Sequence, residues 1–169
     1  MIYPIVKYGA RVLEAEAELV TEFDARLEQL VADMFETMYA AQGVGLAAPQ
    51  IGISKQLAVI DITSGKEPQT KLVLVNPQLI ATEGQQNLEE GCLSLPGFNA
   101  DVRRPQRVTV RALDAQGREY VKTGEALLAR ALCHEIDHLH GKLFIQYLSP
   151  LKRDLIRRKV RKAAQAGEW

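Results

Sequence analysis

The chain has 169 residues, 47% apolar and 25% charged, with 21 basic and 21 acidic side chains and no formal net charge. That length fits one domain over residues 1–169 with a sizeable core. The balance gives no general pull toward nucleic acid or membrane, so neither DNA nor a bilayer is an expected partner.

The opening "MIYPIVKYGARVL" lacks the basic and apolar blocks of a secretory signal. No apolar run approaches the ~20 residues that span a bilayer. The expected compartment is the cytoplasm, where Cys92 and Cys133 would be reduced thiols.

From Thr21 to Ala41, apolar residues recur at spacings of three and four (Phe23, Leu27, Leu30, Val31, Met34, Met38), which predicts a helix. Thr21 with Asp24 resembles a capping box at its start. "GVGLAAPQIG" (43–52) then stops the helix. The runs 56–62 and 71–77 are short, apolar and rich in β-branched residues, and predict strands. Segment 106–114 alternates, with Val108, Val110 and Ala112 on one face. The turn "DAQG" and segment 118–124 complete a predicted hairpin. A second helix is predicted from near Gly124 to Gly141, its C-terminal glycine. Pro150 opens a third, basic helix over about 150–166, with Leu151, Leu155, Ile156 and Val160 as its buried side. Strands joined by turns rather than helices give an α+β class with antiparallel sheets.

All three histidines of the chain lie in "CHEIDHLHG" (133–141). On a helix, residues four apart share a face about 6 Å apart along the axis. His134 and His138 can therefore offer two imidazoles to one metal ion. Glu135, rotated by about 100°, is placed to handle the proton of an activated water. Asp137 can stand behind the ligands, accepting an N–H from a ligand histidine or nearby backbone. His140 points away and reads as a surface residue, and Cys133 as a core thiol.

A catalytic site needs a third ligand and one open position. Downstream, Asp154 lies in a basic helix and Glu168 near the end of the chain, and both are poor candidates. Upstream, Cys92 in "EEGCLSLPG" (89–97) offers a thiolate that suits soft or borderline metals. In the glycine loop, Gly43 and Gly45 allow close approach of a ligand, and the Gln50 amide can donate to an oxyanion.

Three motifs thus stand in order: "GVGLAAPQ" (43–50), "EGCLS" (90–94) and "HEIDH" (134–138). Together they resemble the bacterial peptide deformylases, whose motifs are GxGLAAxQ, EGCxS and HExxH. The resemblance implies the α+β fold of that family, with antiparallel strands around a central metal-binding helix and a C-terminal helix. It implies Cys92, His134 and His138 as metal ligands, holding Fe(II) in the cell and accepting zinc, nickel or cobalt. The implied reaction removes the formyl group from N-formylmethionyl peptides. Glu135 would move the proton, and Gln50 with the Leu93 backbone N–H would hold the oxyanion. Val44, Leu127 and Ala131 would line the methionine pocket, and the backbone of Val44 and Gly45 would bind the peptide in extended form. Glu90 would pair with Arg104. Members often carry Gln where this chain has Cys133. Arg130, one turn before His134, has no direction that sequence reveals.

The tail carries seven basic residues between Lys152 and Lys162. They form a solvated face or, as in the family's C-terminal helices, contact the ribosome. Other readings stay open on the residues alone: a different metal amidase, or a structural metal site or ribosome-binding module without turnover. Glu135 argues against the last, since a structural site has no use for a carboxylate beside an open corner.

Overall fold

A computed structural model describes residues 1–169. Helix α1 (Ala25–Ala40) is followed by strands β1 (Gly45–Ala47), β2 (Leu57–Ile60), β3 (Leu72–Glu83), β4 (Gln86–Gly91), β5 (Asn99–Arg104), β6 (Arg107–Leu113) and β7 (Glu119–Glu125). Helices α2 (Leu127–Leu139) and α3 (Pro150–Gln165) complete the chain. The strands form a five-stranded sheet in the order β1-β2-β3-β6-β7 and a separate β4-β5 ribbon. All strand pairings are antiparallel. The α+β class expected from the sequence is the fold observed.

The period-2 geometry of β2 explains why the sheet is covered on both faces. Leu57 and Val59 face α1, packing with Leu27, Val31, Met34 and Met38. Ala58 and Ile60 face α2, packing with Ala129, Leu132, Ile136 and Leu139. Val108, Val110 and Ala112 of β6 join this second cluster, on the face their alternation predicted. Each large apolar side chain so buried contributes roughly 1.5–3 kcal/mol. A third cluster unites Leu95 and Val102 with Leu143, Phe144, Ile145 and Val160, tying the ribbon to α3. The motif helix is therefore the central one. No helix is long and apolar enough to cross a membrane.

Several boundaries differ from expectation. The cap of α1 is Asp24, whose carboxylate accepts from Leu27 N–H at 3.1 Å; Thr21 lies outside the helix. β3 runs on to Glu83, because irregularities at Val75/Gln78 and Leu79/Ala81 re-aim it along β6. The β4-β5 ribbon is not among the predicted strands: β4 is polar and nearly without alternation, with Leu88 exposed, while the alternation of β5 spans only six residues. Helix α2 starts at Leu127, not near Gly124, because β7 continues to Glu125 and Ala126 turns the chain at φ 53°. It ends as expected at Gly141, φ 73°.

The predicted buried side of α3 is corrected in its first half. Leu151 is 71% exposed and Leu155 45% exposed, while Val160 is buried and Ile156 half-buried. The helix docks through its middle on the N-terminal segment, where Arg157 Nε donates to the Tyr8 hydroxyl at 3.1 Å. Its first turn therefore has no core beneath it.

Candidate metal centre

Three elements far apart in sequence meet at one point. Helix α2 supplies His134 and His138 on one face, as the four-residue spacing requires. Cys92 follows directly on β4. The turn after β1, in 3₁₀ form over Ala48–Ile51, supplies Gln50. The donor atoms of Cys92, His134 and His138 all lie within 4.8 Å of one another. His138 Nε2 is 3.1 Å from His134 Nε2 and 3.3 Å from Cys92 Sγ.

Two imidazole nitrogens so close cannot both present lone pairs to each other without repulsion. Burial works against charge on both rings. Nearby negative charge from Glu135, Cys92 and Glu90 nonetheless raises His134 well above the ordinary histidine range. Burial and the neighbouring His134 push His138 well below it. A Cys, His, His donor set suits borderline metals such as iron and zinc. The residues fit a metal ion.

Glu90 fixes the orientation of His134. Its Oε2 accepts from His134 Nδ1 at 2.7 Å and from Arg104 Nη2 at 2.7 Å. Its Oε1 accepts from Arg104 Nε at 3.0 Å and Arg130 Nη1 at 2.8 Å. Burial alone would raise this carboxyl, but the bonds from His134 and Arg104 outweigh it and hold it at about 2. Arg104, 4% exposed, also reaches Asp137 Oδ2 at 2.7 Å. Asp137 thus serves Arg104 and the Tyr147 hydroxyl (2.8 Å) rather than a ligand histidine.

Glu135 is 4% exposed, and its Oε1 has no protein partner. Burial pushes its carboxyl up to about 7, against the pull of His134. Gln50 is held by the Ala47 N–H, which donates to its Oε1 at 3.0 Å. Its Nε2 then points to Cys92 Sγ at 3.6 Å and Ser94 Oγ at 3.3 Å. The Leu93 backbone N–H donates to no protein acceptor.

A cleft of about 350 Å³ opens on this centre. Val44, Gly45, Gln50, Cys92, Leu93, Leu127, Ala131, His134 and Glu135 all line it. Ala131 is buried, whereas Leu127 stands at the rim, 48% exposed. Cys133 packs in the α2 core, where burial pushes its thiol up to about 11. His140 lies at the surface, 2.7 Å from Glu16. Sequence reasoning left two partners unassigned. Arg130 shares the helix face of His134 by its four-residue spacing, which was a usable signal. Ser94, inside the cysteine motif, offered none beyond its proximity.

The whole chain points the same way. Residues 2–154 match the family described as polypeptide deformylase. The chain belongs to the peptide deformylase family. That family's reaction is removal of the N-terminal formyl group by a metal-dependent hydrolase. A peptide deformylase of Acidobacterium capsulatum is 57% identical over 169 residues, covering 100% of this chain and 99% of its own. One from Thermodesulfovibrio yellowstonii is 48% identical, covering 95% and 97%. The crystal structure of a deformylase from Legionella pneumophila superposes with a TM-score of 0.91 at 48% identity, over 99% of this chain and 98% of that one. The deformylase of Synechococcus elongatus, solved in complex with actinonin, gives 0.88 at 40% identity, over 96% and 88%.

Proposed function

We propose that this chain hydrolyses the formyl group from N-formylmethionyl polypeptides in the cytoplasm, with Fe(II) as its resident metal and zinc, nickel or cobalt able to take the same seat. The observation that carries the reading is the convergence of Cys92, His134 and His138 beside the unpartnered carboxylate oxygen of Glu135. Those three residues would hold the metal, which when bound polarises a carbonyl and makes water a nucleophile near neutral pH.

The protein's own groups do the rest. Glu135 takes the proton of the attacking water and delivers it to the leaving amine, formate departing as the other product. The Gln50 amide and the Leu93 N–H donate to the developing oxyanion. Both are supported as donors by their free or re-aimed N–H groups. Glu90, with Arg104, keeps the His134 ring turned toward the centre, and Asp137 acts on it only through Arg104.

The substrate backbone would enter in extended form. Strands β1 and β4 are both edges, of different sheets, and both border the cleft. A peptide laid between them can use main-chain groups of Val44 and Gly45. Val44, Leu127 and Ala131 offer an apolar wall to the long, flexible methionine side chain. The basic side chains of α3 would offer a surface to ribosomal phosphate, close to emerging chains.

The test is formate release from a formyl-Met tripeptide beside its acetyl-Met twin, using protein purified without oxygen. Fast release from the formyl peptide alone is expected. No release from iron-, nickel- or zinc-loaded protein would overturn the reading. Ribosome binding would show as salt-sensitive co-sedimentation.

A further inference from the structure

Arg130 carries no part of the chemistry above, yet it is buried against the residue that aims a ligand. It lies one helical turn before His134 on α2 and is 6% exposed. Its Nη1 donates to Glu90 Oε1 at 2.8 Å and its Nη2 to the Val102 carbonyl of β5 at 3.0 Å. Glu90 therefore has four donors for two oxygens: two from Arg104, one from Arg130 and one from His134. All remaining acceptor directions of the carboxylate are taken.

That saturation has a consequence for His134. A carboxylate fixed by two guanidiniums cannot rotate to shed its bond to Nδ1, and it accepts only. Nδ1 must then carry a proton, so Nε2, on the side of Cys92 and His138, is the nitrogen left to offer a lone pair when a metal ion binds. Arg104 grips both Glu90 oxygens through Nε and Nη2 and reaches Asp137 with Nη1, but it bonds to no group of α2 other than Asp137. Arg130 is the donor that serves Glu90 and the β5 backbone together, pinning α2 to the ribbon that ends at Cys92. The same side chain borders the cleft beside Leu127 and Ala131.

We infer that Arg130 is a positioning residue for the metal centre: through Glu90 it holds His134 in the tautomer and ring orientation that bind the metal. The inference rests on His134 being a metal ligand, and zinc stoichiometry of the wild type beside His134→Ala tests that premise separately.

The experiment compares zinc-loaded wild type with Arg130→Met, Arg130→Gln and Arg130→Lys. Two readouts are independent of turnover: the rate of zinc loss to a chelator, and the proton NMR resonance of His134 Nδ1–H. Zinc loss about 10-fold faster is expected in the Met and Gln variants, the scale found when a group orienting a ligand is removed. The Nδ1–H resonance should broaden through exchange with water. Lysine, which keeps a cation on Glu90, should recover most of both. If the Met variant fails to fold, the Gln variant decides. A folded Met or Gln variant with the wild-type rate and resonance would overturn the inference. So would a Lys variant that loses zinc as fast as Met or Gln, since shape alone would then explain the effect.

Discussion

The β-carbon that Gly45 lacks would lie 2.4 Å from Oε2 of Glu135. Strand β1 and helix α2 approach so closely here that only a glycine leaves room for the carboxylate. The backbone conformation of Gly45 is not the reason, since its φ is not positive. The constraint is space at the side chain proposed to move the proton.

Gly45→Ala should therefore displace Glu135 while leaving the core intact. Misplacement of a catalytic group by about 1 Å costs about 100-fold. The expected result is a fall in kcat of that order with an unchanged unfolding midpoint. Wild-type kcat in the alanine variant would show that Glu135 can yield without consequence.

Glu135→Gln keeps the shape and removes the base. Turnover should fall by about 100- to 10,000-fold, the usual contribution of a positioned acid–base group. Metal content should stay near one per chain, because Glu135 is not among the converging donors. Activity within tenfold of wild type would assign the proton transfer to another group.

Asp61, at the end of β2, ties down the loop beyond it. It accepts from the Tyr39 hydroxyl, from Thr63 N–H (2.9 Å) and Oγ1 (2.7 Å), and from Thr70 Oγ1 (3.1 Å). Burial raises this carboxyl, but those bonds prevail and lower it to about 2. An unfolded aspartate titrates near 3.9. The stabilisation is thus present above pH ~4 and is lost as pH falls toward 2. Urea titrations at pH 5, 3 and 2 should show Asp61→Asn markedly less stable at pH 5 and nearly level with wild type at pH 2. A gap that stays constant with pH would exclude the carboxylate as its source.

Arg104→Met should be the most destabilising of these changes. It removes one cation from two partners, Glu90 (5% exposed side chain) and Asp137 (17%). Breaking a buried pair from one side costs about 3–5 kcal/mol. Chemical denaturation should show a loss near 3 kcal/mol, since Arg130 still covers one oxygen of Glu90. A loss under about 1 kcal/mol would mean the pair is replaced by water at little cost.

Much of this centre was legible before any coordinates. The spacing of His134 and His138, the single upstream thiol of Cys92 and the non-ligand Glu135 are local features, and they meet where one metal ion would need them. The alternation of β6, the turn that leads into β7 and the glycine end of α2 were equally local. The partners of Glu90 were less so. Arg104 is reached through resemblance, Arg130 has no direction that sequence reveals, and Asp137, expected to accept from a ligand histidine or nearby backbone, holds Arg104 and the Tyr147 hydroxyl instead.

The sequence by itself determined the three helices, the strands other than the β4-β5 ribbon and the candidate donors, because helix and strand periodicity and ligand chemistry act over a few residues. Only the tertiary structure decided which side chains 14 to 44 positions apart close on Glu90, as with Arg104 and His134. It also decided that Gly45 abuts Glu135, and that the first turn of α3 stands free while Val160 is buried. Such relations follow from how the two sheets clasp α2. Apolar packing sets that geometry over the whole molecule, and no short stretch of sequence encodes it.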